Sequence, residues 1–473
     1  MESPESVQKA AAASALTALS ASRILGANDR IGIALIGCGS RGPQVASLVQ
    51  KAPGVEYRVM CDVYDDRAAQ AKQRLTNGQA VTAKDFRKVL AQKDIDAVHI
   101  ATPEHWHAAI MVLACEAGKD IYLEKPVSRF FREGQAEVAA ARKYKERIVQ
   151  VGTQHRSEPH YAEAAKIVQS GEIGDIYYVR IWNSGSNTPP SPPVPDSAPP
   201  AGLDWDFYVG PAPKAAFNQR RLSYRQWFDY ASGYITDFGN HRIDSFYQIM
   251  QCSWPLTISG SGRRYVKENF GDIYDVQNVV YEYPGFILSY TADWTNSFGM
   301  GGGRTPGMSY YGMSGPYNRP HAEAFFGTKG TLITDRIGYE IYPEVDPGGR
   351  PPMDVSEGGA ARGGARGGAR GGRRGGGAPA EVRFRCERKQ VQGADRTDLH
   401  ALNWVESMRT RKPPFASMEL GHLATGTCLL GNIASIAGRK LKFDPKKEDF
   451  IGDAEASRLL MREQRAPWNL IKV

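Results

Sequence analysis

Cysteine is scarce in this chain, with six residues in 473 and no CxxC or other short paired spacing. That excludes a disulfide framework and a thiolate zinc site as organising devices. Cys38 and Cys61 fall at the ends of predicted buried strands and read as small hydrophobes. Beyond Ala10 to Leu25, no run approaches about 18 uninterrupted apolar residues, which argues against a membrane-spanning helix and a membrane partner. An excess of one charge is also missing from the folded part. The net charge is +8, but much of it sits between Arg362 and Arg374, inside an Arg-Gly-Gly-Ala repeat spanning Glu357 to Pro379. This repeat cannot bury enough apolar surface to order itself, so 357–379 is expected to be a disordered insert. It carries no aromatic residue on which bases could stack, so nucleic-acid binding is kept only as an alternative function and no nucleic-acid partner is expected.

What remains is an ordinary globular composition, 41% apolar and 23% charged, in a chain too long for one domain. Residues 1–27 stand apart. Their small-residue, mildly apolar stretch ends in Ser-Arg-Ile-Leu-Gly-Ala, like the tail of an export signal, yet Glu2 and Glu5 outweigh Lys9 and no Arg-Arg pair precedes it. A degenerate signal and a disordered arm both fit, and periplasmic and cytoplasmic locations stay open.

From Ile31 the apolar runs alternate with helical patterns. Strands are expected at Ile31–Ile36, Tyr57–Cys61, Ile95–Ala101, Asp120–Leu123 and Ile148–Val151. Helices are expected at Gln44–Gln50, Asp65–Leu75, His105–Ala117 and Gly134–Lys145. Such alternation predicts an α/β domain with a doubly wound parallel sheet over residues 28–155. Beyond Gly174, strand patterns at Asp175–Trp182, Thr257–Tyr265, Asp275–Tyr283, Phe286–Trp294 and Thr331–Thr334 follow one another without helices between them. They predict an α+β domain over 156–473 with a large open, mainly antiparallel sheet. Proline-rich (189–200) and glycine-rich (299–307) loops connect its parts, and helices return at Leu399–Arg409 and Gly421–Gly438. An open sheet leaves a face to cover, so a homo-oligomer, dimer or tetramer, is expected.

The first predicted strand runs into Gly37-Cys38-Gly39-Ser40-Arg41-Gly42, and Asp62 follows twenty positions after Gly42. Gly37 permits the tight turn, Gly39 lets the backbone approach a pyrophosphate, and Gly42 permits close helix–strand packing. The following helix start, with Ser40 and Arg41, offers unpaired N–H groups to phosphate. Asp62 would accept from the adenosine ribose hydroxyls and repel a 2′-phosphate, favouring NAD over NADP, although Arg67 could serve a phosphate.

Two further motifs lie at strand ends, Ala101-Thr102-Pro103-Glu104-His105-Trp106-His107 and Glu124-Lys125-Pro126. Doubly wound sheets bind ligands there, so Thr102, Pro103, His107, Glu124 and Lys125 join the expected cofactor contacts. The His-x-His pair lacks a matching carboxylate or cysteine cluster, so no metal is expected; His105 is read as packing and His107 as lying near the nicotinamide. Together with Val151-Gly152-Thr153-Gln154, Leu203-Asp204-Trp205, Val209-Gly210-Pro211-Ala212-Pro213, Phe326-Gly327-Thr328-Lys329-Gly330, His400 with Asn403, and Arg465-Ala466-Pro467-Trp468, these segments resemble the Gfo/Idh/MocA oxidoreductases. The resemblance covers nearly the whole chain from residue 30, apart from the Arg-Gly insert.

The resemblance implies an NAD-dependent oxidoreductase moving hydride between nicotinamide and a ring hydroxyl of a sugar, glycoside or cyclitol. Lys125 matches the family lysine beside the nicotinamide, and Asp237 and His241 match its Asp and His. Independently of the family, positions i and i+4 of a helix present both side chains to one face. There Asp237 would orient His241 as the general base or bind a neighbouring hydroxyl, and Lys125 would stabilise charge on the substrate oxygen. Gln154, Arg156, Tyr161, Asn183 and Tyr234 are candidate hydroxyl ligands, with Tyr161 and Tyr234 equally readable as core aromatics. Trp182, Trp205 and Trp294 are candidate platforms for a sugar ring. An alternative within the fold is an NAD-retaining, glycosidase-like enzyme acting by transient C3 oxidation and elimination. Against it, such enzymes carry a Thr-His-Gly-like stretch where this chain has Thr236-Asp237-Phe238-Gly239-Asn240-His241.

Overall fold

The computed structural model of the protein describes residues 30–185, 194–266, 271–295, 320–346 and 383–472. The arm 1–27, the insert 357–379, the glycine-rich connection 299–307 and residues 189–193 of the proline-rich loop lie outside the described residues.

Two sheets carry the chain. The first is six-stranded and wholly parallel, in the order β3-β2-β1-β4-β5-β6. Its strands are β1 (Ile31–Ile36), β2 (Val55–Cys61), β3 (Val81–Ala83), β4 (Ala97–Ile100), β5 (Asp120–Leu123) and β6 (Val149–Val151). The crossovers contain α1 (Arg41–Val49), α2 (Asp65–Thr76), α3 (Phe86–Leu90), α4 (His107–Glu116) and α5 (Phe131–Lys143). Strand order reverses between β1 and β4, where the crossovers leave in opposite directions and open a crevice at the carboxyl ends. Near-continuous apolar runs such as Ile33-Ala34-Leu35-Ile36 are fully buried, as a sheet covered on both faces requires.

After α6 (Pro159–Gln169), the chain builds a ten-stranded sheet in the order β14-β13-β12-β11-β7-β10-β9-β8-β15-β16. Its members are β7 (Ile176–Ser184), β8 (Thr257–Arg263), β9 (Val276–Tyr283), β10 (Phe286–Asp293), β11 (His321–Gly327), β12 (Gly330–Asp335), β13 (Gly338–Pro343), β14 (Lys389–Gln392), β15 (Leu441–Asp444) and β16 (Asp449–Phe450). Only the central pair β7–β10 is parallel. Alternating residues of β9 and β10, among them Val279, Tyr281, Leu288 and Tyr290, are buried against helices, while Val280 and Ile287 are exposed on the other face.

The five expected second-sheet strands all form. They do not succeed one another without helices, however. Between β7 and β8 lie α7 (Trp205–Val209), α8 (Tyr234–Asp237) and α9 (Gly239–Met250). The last helices are α10 (Thr397–Thr410), α11 (Met418–Ala437) and α12 (Ala454–Arg458). α11, interrupted by Glu419, His422 and Asn432, is by length and composition alone long and apolar enough to cross a membrane. In the fold 72% of its apolar window is buried, against the second sheet, α5 and α9. α10 covers the first sheet, with Trp404 against Tyr122 and His99. All six cysteines are free, and Cys38 and Cys61 are buried.

Candidate active site

The crevice at the carboxyl ends of the first sheet continues into the space before α8 and α9. Its nucleotide side, a cleft of about 770 Å³, is lined by Gly37, Gly39, Ser40, Arg41, Asp62 and Arg67, with Thr102 and Pro103 on the opposite wall. Gly37 holds φ = 96°, and a Cβ there would lie 2.5 Å from the Ala101 carbonyl. A Cβ on Gly42 would come within 2.4 Å of the Gly37 oxygen, so the helix can start this close to the strand only with glycine. Gly39 faces open space, with no atom within 4 Å of a built Cβ. The first turn of α1 carries no acidic side chain. Open backbone, a free helix start and no competing carboxylate in that turn form a cradle that fits a dinucleotide pyrophosphate. Asp62 lines the same cleft, and its carboxylate accepts from the N–H of Cys38 (2.7 Å) and of Tyr64 (2.9 Å). Burial pushes its pKa up, partly offset by these two N–H groups and Arg67.

The adjoining cleft, about 1890 Å³, contains Lys125, Asp237, His241, Gln154, Tyr234, His107 and Glu124. Lys125 lies two residues beyond the end of β5, Asp237 closes α8 and His241 lies in the first turn of α9. α11 ties these parts together: Thr425 Oγ1 accepts from the Val127 N–H (3.2 Å) and from Asn240 Nδ2 (2.6 Å). Lys125 Nζ donates to Asp237 Oδ1 (2.7 Å) and to the Asp237 carbonyl (2.6 Å). Arg225 Nε donates to the other carboxylate oxygen at 3.0 Å. Burial alone would raise the Asp237 pKa, but the two cations outweigh it and hold it at about 2. The Asp237 carboxylate is therefore spent on Lys125 and Arg225, and not on orienting His241. The i, i+4 spacing brings both residues to one cleft, but Phe238 separates two helices and no Asp237–His241 hydrogen bond forms.

His241 is enclosed, its Nδ1 without a hydrogen-bond partner, and burial followed by Lys125 drives its pKa well below the usual imidazole range. It is thus neutral at rest. Its ring packs on His155 with centroids 5.0 Å apart. Tyr234, Phe238 and Trp294 form an aromatic wall, with Tyr234 stacked on Trp294 at 4.4 Å. Arg41 Nε pairs with Glu124 at 2.8 Å, which leaves that carboxylate ionised despite its burial.

Three expected hydroxyl ligands are elsewhere. Arg156 pairs with the fully buried Asp244 at 2.8 Å, and Tyr161 is itself fully buried, its hydroxyl accepting from Arg242. Asn183 Nδ2 donates to the Tyr290 hydroxyl inside the core. Each satisfies another buried polar group, which is why none reaches the cleft. Trp182 is buried against Ala322, Ala324 and Ile333, and Trp205 stacks on Tyr208. Of the three tryptophans, Trp294 alone lines the cleft. His105 Nε2 lies 3.0 Å from the Tyr208 carbonyl, and His107 sits between the carbonyls of Pro126 (2.6 Å) and Thr102 (2.8 Å). No group of three or more potential metal ligands occurs among the described residues. The sequence reading missed Tyr224, Arg225, Gln226 and Arg336, which line the cleft from irregular segments or a turn and belong to no periodic pattern.

Comparison with known proteins bears on the whole arrangement. A family model described as oxidoreductase family, NAD-binding Rossmann fold, matches residues 31–153. The corresponding C-terminal alpha/beta domain matches 180–259 and 387–470. The scyllo-inositol 2-dehydrogenase (NAD(+)) of Bacillus subtilis is 35% identical over 161 residues, 33% of this chain and 46% of that protein. The levoglucosan dehydrogenase of Pseudarthrobacter phenanthrenivorans is 36% identical over 144 residues, 29% of this chain and 36% of that one. The chain thus spans less than half the length of these curated relatives. Two solved structures share the fold over 88% of this chain: the aldose-aldose oxidoreductase of Caulobacter crescentus (TM-score 0.59, 15% identity, all of that chain) and the myo-inositol 2-dehydrogenase of Lactobacillus plantarum (TM-score 0.57, 16% identity, all of that chain). Neither the glycosidase-like alternative nor the nucleic-acid alternative gains support from these comparisons.

Proposed function

Because the chain belongs to the Gfo/Idh/MocA family of oxidoreductases, we propose that it transfers hydride between a ring hydroxyl of a sugar, glycoside or cyclitol and NAD. The observation that carries this reading is the meeting of Lys125, Asp237 and His241 with an aromatic wall in one cleft, directly beside the glycine cradle. When bound, the nicotinamide supplies the hydride acceptor. Gly39, Ser40 and Arg41 would offer the pyrophosphate their backbone N–H groups while Gly37 and Gly42 shape the turn, Asp62 would take the ribose hydroxyls, and Thr102, Pro103, His107 and Glu124 would shape the nicotinamide end. Lys125 turns one of its protons toward the substrate oxygen and stabilises the charge that develops there. His241, neutral at the outset, receives the hydroxyl proton. Asp237 aims Lys125, with Arg225 on its far side. Gln154 and Tyr234 bind neighbouring hydroxyls while Trp294 supports the ring face. The sheet face bearing Val280, Ile287 and the stacked Tyr178–Phe326 pair is where a second copy would associate.

The test is to load the protein with NAD and follow absorbance at the NADH band against a panel of methyl glycosides and inositols. Accumulating NADH supports the reading. A protein that binds no nucleotide, or binds NAD and never reduces it with any polyol, would sink it.

A further inference from the structure

Four cations line the larger cleft, and three of them have carboxylate partners: Arg41 with Glu124, and Lys125 and Arg225 both with Asp237. Arg336 is different. It sits at the turn between β12 and β13, held in shape by Asp335 Oδ1 accepting from the Ile337 N–H at 2.8 Å. Its Nε donates to His155 Nε2 at 3.2 Å, and among the described residues no carboxylate forms an ion pair with it. Asp395 lines the same cleft, but its Oδ1 accepts from the N–H and hydroxyl of Thr397, at 2.9 and 2.6 Å.

His155 supplies no compensating charge. An arginine Nε–H can only donate, so His155 Nε2 is the acceptor and the ring proton is on Nδ1, 3.3 Å from the Ser245 hydroxyl. The imidazole is fully buried, stacked on Tyr161 at 5.0 Å and 9°, and burial drives its pKa well below the usual range. A rigid neutral ring therefore aims a half-buried guanidinium whose two terminal nitrogens remain available to the cleft. Asp395 and Glu158 act on this cation from a distance but neither pairs with it, so its fork is left unfilled, and bidentate pairing with a planar carboxylate is an interaction it fits well. The other face of this ring meets His241, so the guanidinium and the proton acceptor flank one imidazole. Both line the same cleft.

Resting on the oxidoreductase reading above, we infer that the substrate is an anionic carbohydrate, with a carboxylate such as that of a hexuronic acid bound by Arg336 while His241 addresses the reacting hydroxyl. Arg336 is thus a specificity-determining residue that takes no part in proton or hydride transfer.

The experiment uses the NAD-loaded full chain and matched pairs of methyl hexosides and methyl hexuronides of the same ring configuration, with inositol phosphates as a third arm. NADH formation and calorimetric binding are both read, in wild type, Arg336→Gln and Arg336→Lys. The expected result is a higher kcat/KM for the acidic member of a pair. Arg336→Gln should lower that value by about 10- to 150-fold, the range for a hydrogen bond to a charged group, and leave the neutral member within about threefold. Arg336→Lys should keep part of the acid preference, showing that charge and not folding is at issue. Neutral substrates turned over as well as acidic ones, with no response to Arg336→Gln, overturn this inference and leave the dehydrogenase reading intact. Preference for phosphate esters also overturns it. Bound NAD that no member of any arm reduces overturns both.

Discussion

The nucleotide side of the cleft takes its shape from six consecutive residues, Gly37 to Gly42, and one carboxylate, Asp62. The hydroxyl side gathers Lys125, Gln154, Arg225, Asp237, His241 and Arg336 from six separate segments. The first is a matter of absent atoms, since glycines leave room for a ligand's phosphates to reach the backbone. The second is a matter of charges placed against one another, with two cations on one buried carboxylate. One side should therefore fail when atoms are added, and the other when charges are removed.

The largest effect expected from this contrast is on the charged side. Lys125→Ala removes the donor to the reacting oxygen and should cut kcat by about 10³-fold, the scale for losing one preorganised donor, with nucleotide affinity nearly unchanged. Stopped-flow NADH formation and NAD titration on the same variant separate the two. An equal loss of NAD binding would break the contrast. On the glycine side, Gly42→Val drives a Cβ against the Gly37 oxygen and should cost about 1–3 kcal/mol of stability together with the nucleotide site. Gly39→Ala meets no protein atom, so its melting temperature should match wild type while NAD affinity falls. Should Gly39→Ala instead be the less stable of the two, the cradle argument is wrong.

Acid sharpens the comparison in a third way. Around the first sheet, burial holds His99 and His400 at about 4 and His105 at about 3. Unfolding lets each rise to its ordinary value near 6.5 and bind a proton. The unfolded state then holds more protons, so stability is full above about pH 6.5 and falls as pH drops toward 4, by up to about 1.4 kcal/mol per pH unit for each histidine. Denaturant midpoints at pH 7 and 5 check this; equal midpoints would contradict it. The smallest effect concerns Arg225. Arg225→Gln leaves Asp237 with one cation, so its pKa should rise from about 2 and the acid limb of kcat/KM should move to higher pH, with about a tenfold loss at neutral pH. A limb that stays in place would mean Lys125 alone holds the carboxylate ionised.

The nucleotide half was largely legible in the sequence because its signals are local. An apolar run, three glycines and an acidic residue at the end of the next strand each announce their own element. On the other half, β7 to β10 and β12 were visible from period-two alternation. β11, β13 and β14 were not: β11 is buried at nearly every position and so shows no alternation, and β14 has only four residues. Asp237 and His241 were picked out by their match to the family's Asp and His, with an i, i+4 spacing that agrees, yet which partner Asp237 takes depends on Lys125, 112 positions away. Arg156, Tyr161 and Asn183 were drawn to the site by polarity near a motif. Burial assigns them instead to Asp244, Arg242 and Tyr290, because an unpaired polar group in the core is costly. Arg336 had no local signal at all, since a turn arginine ordinarily points to water.

α10 packs Ala401, Trp404, Val405 and Met408 onto Leu35, Tyr57, Tyr122 and Ile148 of the first sheet. During synthesis this cover arrives late. Ribosomes add about 5–20 residues per second, so roughly 10–50 seconds separate the emergence of Ile148 from that of Ala401. For that interval the nascent nucleotide-binding half shows one of its faces without its last layer. A chain that stops between these points leaves Tyr122 and Leu35 under α1 alone, without the indole of Trp404 that completes their packing.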